Sequence, residues 1–370
     1  MKIAYCIRGD YEINSGGDVI QMVKTKNYLE KKYNLEIDII TDPSEITQDF
    51  AIVHVFNFST YIISKQFIRK AVQLSIPVVS SPIYWDYSYA STKYFYYAFQ
   101  FINQINESTI QFFRKMVIYL GYVLKKPSGV SYKFKKNARW MFDNSDFIAP
   151  NSQEEANLFL KWINREDYSN KIKVVFNATD ILNETGADIE EDLFFKKYNI
   201  PRNYILQIGR IEFCKNQLNL IEALKDDVDI PIVFLGKIKD KLYYKKLKKR
   251  AEKRGNVYFV DAVPYSEVSS FFRFATIHVL LSLRESPGLV NIEALANNCP
   301  IVIADERFLP VETYFKNQPY IVNPINLTEV RETILKAYNE RKITPFDFEK
   351  FSWDNVAKQT YSIYNEILKS

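Results

Sequence analysis

LSLRESPGLVNIEALANNCPIVIAD, residues 281–305, is the stretch around which the rest of the chain is organised. The apolar run leading into it, Thr276 to Leu281, reads as a buried parallel strand. A turn follows at Ser286-Pro287-Gly288, then a helix predicted over Leu289–Asn297 and a second apolar strand over Ile301–Ala304. Ser286 is placed to cap that helix, and Pro287 to take a first-turn position that needs no N–H. The amides of Gly288, Leu289 and Val290 then point out of the helix start at the carboxyl end of the preceding strand. That is an anion site, at the edge where open α/β sheets bind ligands.

Two carboxylates bracket it, Glu285 before the helix and Glu293 within it. An ionised carboxylate is acceptor-only, so it suits hydroxyls and not phosphates. A ligand that satisfies both features carries phosphate in the middle and hydroxyl-rich rings at either end, as a nucleotide sugar does. The alternative is a plain strand-to-helix connection with a surface glutamate on each side.

The run ESPGLVNIEALANNCPIV resembles the glutamate-pair motif of the group 1 (family 4) glycosyltransferases, retaining enzymes of the GT-B architecture. Gly209-Arg210 followed by Lys215-Asn216 is similar to the family's Gly-Arg…Lys element, and KVVFNATD (173–180) to its interdomain segment, with Ala178 where Gly is usual. Phe351-Ser-Trp353, then Val356 and Tyr364, resembles its closing helix. The resemblance covers most of residues 140–370 and is weaker over 1–135. It implies an α/β protein of two doubly wound Rossmann-like domains facing a central cleft. The N-terminal acceptor-side domain is expected over 1–176, with helix 352–370 packing back on it, and the donor domain over 177–351.

Length and composition agree with two ordinary domains. The net charge of +5 is compatible with an anionic substrate or membrane surface and demands neither. Cys6, Cys214 and Cys299 are far apart and odd in number, with no metal spacing, so a reducing cytosol fits best. The N-terminal apolar run is too short for a signal peptide, and no stretch reaches the length of a membrane span.

From the N-terminus, Lys2–Ile7 reads as a strand and Asp18–Tyr33 as an amphipathic helix. Gly16-Gly17 between them is either a tight turn or a place where a phosphate or sugar comes close; similarity to the family's glycine pair favours the ligand. Strand-like runs at Glu36–Ile40, Ala51–Phe56 and Pro77–Ser80, with a helix over Ser64–Leu74, imply a parallel doubly wound sheet. Where many relatives carry a histidine, this chain has Ser81-Pro82-Ile83-Tyr84-Trp85-Asp86. His54 and His278 lie inside apolar runs and read as core residues.

Residues 88–135 are aromatic and aliphatic, with Arg114-Lys115 and Lys125-Lys126 flanking an apolar run. They suit either a buried helical excursion or an interfacial helix at headgroup level. Asp146–Pro150 is predicted as a strand, and Ser152–Trp162 as a helix with Ser152 and Glu155 at capping-box spacing. Val174–Phe176 is predicted as the last N-domain strand, and 177–200 is the junction. A second doubly wound unit follows, with strands at 204–208, 232–235, 257–260 and 277–281. The lysine-rich helix between Lys237 and Arg254 reads as a solvated face, with a phosphate or membrane patch as the alternative. Asp227-Val-Asp229 reads as a turn and not a metal pair.

By resemblance, Glu285, Arg210 and Lys215 are the catalytic set. Gly16, Gly17, Gly209, Ser286, Gly288, Leu289, Val290 and Glu293 are expected to bind the donor. Glu285 would accept from the donor sugar's hydroxyls and Glu293 from the ribose. Arg210, Lys215 and the helix-start amides would stabilise the leaving diphosphate. No metal or other cofactor is expected. The expected partners are a nucleotide sugar and a glycan or lipid-linked saccharide, with a membrane surface met through residues 107–136 and no nucleic acid. A nucleotide-sugar epimerase of the same architecture and a non-catalytic glycosyltransferase-like subunit are the rival readings.

Overall fold

The computed structural model describes residues 1–13, 16–86, 89–91, 132–180 and 189–369. Two compact units emerge, Met1–Ala178 with Glu349–Ser370, and Thr179–Phe348. Most of the stretch that reads as an interfacial helix, including 107–131 of the segment 107–136, lies outside the described residues.

The first unit has five parallel strands: β1 Lys2–Cys6, β2 Glu36–Ile40, β3 Ile52–Phe56, β4 Val78–Ser81 and β5 Phe147–Ile148, in the order β2-β1-β3-β4-β5. Helices α1 Gly17–Tyr33, α2 Tyr61–Gln73, α3 Tyr132–Asp143 and α4 Gln153–Ile163 pack on it. Successive strand side chains point to opposite faces. Ala4, Cys6, Val53 and Val55 therefore enter one core with Phe67 of α2, Phe142 of α3 and Phe159 of α4. Ile3, Tyr5 and Phe56 enter another with Met22 and Leu29 of α1 and with Ile363 and Tyr364 of the C-terminal helix Trp353–Ile367. His54 is a core residue, bonded through Nδ1 to the Tyr364 hydroxyl at 2.7 Å and through Nε2 to Ser81 Oγ at 3.0 Å. Burial pushes its pKa down to about 3, so it is neutral.

Two local expectations need correction. Ser152 Oγ does accept from Glu155 N at 3.0 Å, but the Glu155 carboxylate does not return the bond. It accepts instead from the Tyr84 and Asn151 amides, both at 2.7 Å. Val174–Phe176 runs beside β5, with Lys173 N and Val175 N donating to Ile148 O and Pro150 O, yet forms no strand. Phe176 N, which points away from β5, donates to the Gln359 side chain at 3.0 Å.

The second unit has six parallel strands: β6 Ile205–Ile208, β7 Ile232–Leu235, β8 Val257–Val260, β9 Ile277–Leu280, β10 Ile301–Ala304 and β11 Ile321–Val322, in the order β11-β10-β9-β6-β7-β8. The helices are α5 Glu191–Tyr198, α6 Gln217–Ala223, α7 Lys241–Arg254, α8 Tyr265–Phe274, α9 Val290–Ala296, α10 Val311–Tyr314 and α11 Leu327–Glu340. Helix α5 lies where only a polar junction was expected; it is anchored by Phe194 against Phe271, ring centroids 4.8 Å apart. The chain lays down β6, β7 and β8 outward, then returns to the other side of β6 with β9. The order reverses between β6 and β9, and ligands bind such sheets outside the carboxyl ends of the strands at that switch point.

Candidate active site

The two loops leaving the switch point hold the catalytic set expected from the sequence. The loop after β6 carries Gly209, Arg210 and Lys215, and the loop after β9 carries Glu285. Lys215 Nζ is in direct contact with Glu285 Oε1. Ser282 Oγ donates to the same oxygen at 2.6 Å. Both partners are largely withdrawn from solvent, with side chains 17% and 11% exposed. Arg210 is 59% exposed and turns onto Glu212, Nη2 to Oε1 at 2.9 Å.

Amide side chains fix the loop after β6. Gln207 Nε2 donates to Lys215 O at 2.7 Å, and Gln217 Nε2 to Arg210 O at 3.0 Å. Asn216 Nδ2 donates to Leu281 O at 3.0 Å, tying this loop to the end of β9. The β9 loop is held through Leu283 N to Cys214 O at 2.8 Å and Glu285 N to Phe308 O at 2.7 Å. A Cβ on Gly236, at the end of β7, would stand 2.4 Å from Gly209 O, so this close backbone approach needs glycine.

The helix start differs from the expectation. Ser286–Pro287 is a cis peptide, and Gly288 has a left-handed φ of +83°. That turn consumes the residues expected to open the helix, so α9 begins at Val290 with Leu289 at the cap position and no side-chain cap. Ser286 is not its N-cap, and Pro287 lies outside it. Gly288 O accepts from Asn291 N at 3.0 Å. A Cβ on Gly288 would approach Asn291 Nδ2 to 3.2 Å and Glu285 Cγ to 3.4 Å.

Glu293 sits in the first turn of α9. Its Oε1 accepts from Thr179 Oγ1 at 2.9 Å and from the Tyr265 hydroxyl at 3.4 Å. Burial raises its carboxyl above the ordinary range, against the lowering effect of those two hydrogen bonds. His278, on β9, is fully buried, and burial brings its pKa down to about 3. Gly16 and Gly17 belong to the first unit, where Gly16 caps α1 and its carbonyl accepts from Val19 N and Ile20 N.

Sequence reasoning did not single out Ser282, Gln207, Gln217, Thr179 or Tyr265 for these contacts. Gln207 had a visible signal, a lone amide inside the apolar run YILQI. Asp227 is bidentate to Arg331, at 2.7 and 2.8 Å, in the turn expected there. Among the described residues no group of three His, Cys, Asp or Glu is placed to hold a metal ion, and no helix is long and apolar enough to cross a membrane.

Fold and switch-point loops together define a two-unit parallel α/β protein, and known structures share that architecture from end to end. The sucrose-phosphate synthase of Thermosynechococcus elongatus superimposes with a TM-score of 0.70 at 13% identity, covering 100% of this chain and 99% of that one. HepE of Anabaena, solved with UDP and glucose, gives 0.64 at 14% identity, covering 100% and 96%. Both share the GT-B fold. The sequence profile of the glycosyl transferases group 1 matches residues 188–349. A glycosyltransferase of Methanocaldococcus jannaschii is 25% identical over 214 residues, 52% of this chain and 54% of that protein. The D-inositol 3-phosphate glycosyltransferase of Corynebacterium glutamicum is 26% identical over 250 residues, 62% of this chain and 59% of that protein. The matches thus span a little over half the length of these curated relatives.

Proposed function

We propose that the chain is a retaining glycosyltransferase that moves a sugar from a nucleotide-diphosphate sugar to a glycan acceptor. The observation that carries this reading is the meeting of Lys215 and Glu285 at the switch point, within the stretch matched by the family profile. An ammonium group has three donors, and Glu285 engages one, leaving others for a diphosphate oxygen. Glu285 Oε1 is occupied by Lys215 and Ser282, so Oε2 is the atom assigned to the donor sugar's hydroxyls. Arg210, exposed on the same loop as Lys215, supplies a second and differently shaped positive charge.

In this reading the bond from the anomeric carbon to the leaving phosphate oxygen breaks while the acceptor hydroxyl bonds from the same face. The acceptor's proton passes to the leaving phosphate. Arg210 and Lys215 hold the charge that builds on the diphosphate, so no metal is assigned. Solved complexes of HepE with UDP and UDP-glucose support a nucleotide-sugar donor. The acceptor is assigned to bacterial surface polysaccharide synthesis at the cytoplasmic face of the membrane, on a lipid-linked saccharide. Residues 107–136 supply apolar and basic side chains for that surface.

A panel of nucleotide sugars tested for a rise in melting midpoint identifies the donor. Transfer from that donor, with the anomeric configuration read by NMR, tests retention. No stabilisation by any nucleotide sugar at millimolar concentration would overturn the reading.

A further inference from the structure

We infer that the outer face of α7 is a docking surface for an anionic lipid bilayer. From Lys237 to Arg254 the chain carries ten cationic and two acidic side chains, a net of +8. The whole chain sums to +5, so everything outside this segment sums to −3. Positive charge is therefore segregated into one helix and its approach.

The fold uses only some of these cations. Arg254 is buried and donates to the carbonyls of Leu224, Asp227 and Ile230. Arg250 pairs with Glu222 at 3.0 Å, and Lys246 is half-buried. Lys237 and Lys239 on the approach are exposed, as are Lys241, Lys245, Lys248, Lys249 and Lys253 on the helix. Among the described residues none of these seven has an ion-pair partner.

Helical spacing collects them. Tyr243, Leu247 and Ala251, four residues apart, face the core. Lys241, Lys245, Lys249 and Lys253 repeat every four residues on the side turned to solvent, with Glu252 the one acid among them. Over 14 residues the stripe is about 20 Å long. At its N-terminal end Ile238 and Leu242 are 47% and 57% exposed, apolar side chains set among lysines.

That composition fits a bilayer better than a nucleic acid. The free cations are all lysines, point charges suited to a diffuse layer of headgroups, whereas the arginines that would read phosphates bidentately are tied down. Stacking of single-stranded bases needs exposed rings. Here Tyr243 is buried and Tyr244 packs edge-on against Phe259, ring centroids 5.4 Å apart. Ile238 and Leu242 have an evident use only where an acyl boundary lies beneath the headgroups.

The test is sedimentation of the full chain with vesicles at low salt, in the absence of donor and acceptor, so its outcome is independent of transfer, and the α7 substitutions separate this surface from the one assigned to residues 107–136. The wild type should bind vesicles of equal phosphatidylglycerol and phosphatidylcholine, ignore pure phosphatidylcholine, and be released by high salt. Each lysine near such a surface is worth about a fivefold gain in partitioning. Lys241→Gln, Lys245→Gln, Lys249→Gln and Lys253→Gln combined should therefore lower binding by nearly three orders of magnitude, about 600-fold, with an unchanged melting midpoint. Leu242→Ser should weaken binding at every salt concentration. Failure of the wild type to bind mixed vesicles overturns the inference. So does equal binding by the quadruple variant, which would place the contact elsewhere, or tighter binding to an oligonucleotide than to vesicles at the same salt.

Discussion

Lys215 and Glu285 stand seventy residues apart in sequence and meet as an ion pair, because strand order makes β6 and β9 neighbours. Ser282 completes the arrangement on the same carboxylate oxygen. Glu285→Gln preserves the shape and can still accept from Ser282 and Lys215. It replaces the other oxygen with an amide NH2 that donates where a sugar hydroxyl also donates. Turnover should fall on the order of a hundredfold or more, as for loss of one preorganised polar group, with little change in melting midpoint. Wild-type turnover in this variant would remove Glu285 from the reaction.

Arg210 and Lys215 should separate in stability while agreeing in catalysis. Lys215→Ala leaves a largely buried carboxylate with only Ser282, a loss of about 1–3 kcal/mol of folding stability. Arg210→Ala removes an exposed side chain and should stay within about 0.5 kcal/mol. Each should cost about 2–4 kcal/mol of transition-state stabilisation at saturating donor. Denaturant titration and turnover measured on the same preparations decide this. Changes confined to acceptor affinity would contradict the assignment.

Glu293 links the site to pH. Its folded-state pKa is raised, chiefly by burial, so the native state holds a proton that the unfolded chain releases near the ordinary value of 4.5. Its contribution to stability is therefore present below that value and is lost as pH rises toward the raised one. Glu293→Gln retains an oxygen for Thr179 and has no charge to bury. The variant should melt higher than the wild type at neutral pH and match it below about pH 4, while donor binding weakens. A variant that melts lower at neutral pH would mean the carboxylate is a net stabiliser.

Legibility of the sequence followed burial. Strands such as Ile277–Leu280 and Ile301–Ala304 are buried on both faces and leave apolar runs, interrupted in the first only by His278. The two switch-point loops could be located by resemblance, but the Lys215–Glu285 contact could not be read. It depends on which strands become neighbours, and that is a property of the whole sheet. The start of α9 was misplaced because Ser-Pro-Gly fits both a helix entry and the turn actually formed, where Gly288 takes a left-handed conformation. The hydrogen bond from Gln207 to the Lys215 carbonyl is legible only as a lone amide in an apolar run, without a direction, and Gln217, set among Asn216 and Asn219, carries no such signal.

Transfer should proceed in the presence of a chelator. Arg210 and Lys215 lie in the loop after β6, and in the proposed reaction their charge serves the leaving diphosphate in the way a divalent cation otherwise does. The measurement is turnover after dialysis against EDTA. Loss of activity, restored by magnesium or manganese, would assign the charge stabilisation to a metal.

Gly236 tests how tightly the site depends on the backbone beneath it. Its φ is +143°, and a Cβ there would lie 2.4 Å from the carbonyl oxygen of Gly209, the residue before Arg210. No flexible side chain can yield; one of the two strand ends has to move. Gly236→Ala should therefore destabilise the fold by about 1–3 kcal/mol and displace the loop that presents Arg210. Gly255→Ala provides the comparison, because Gly255 has a φ of +78° with nothing within 4 Å of the added carbon. That variant carries the conformational strain without the collision, and should lose stability but keep full turnover. Gly236→Ala should lose at least tenfold in turnover at temperatures where both variants are folded, since small misplacements of a catalytic group are costly. Equal turnover of the two would show that the Gly209–Arg210 loop tolerates movement, and that Arg210 finds its position from the ligand and not from the strand beneath it.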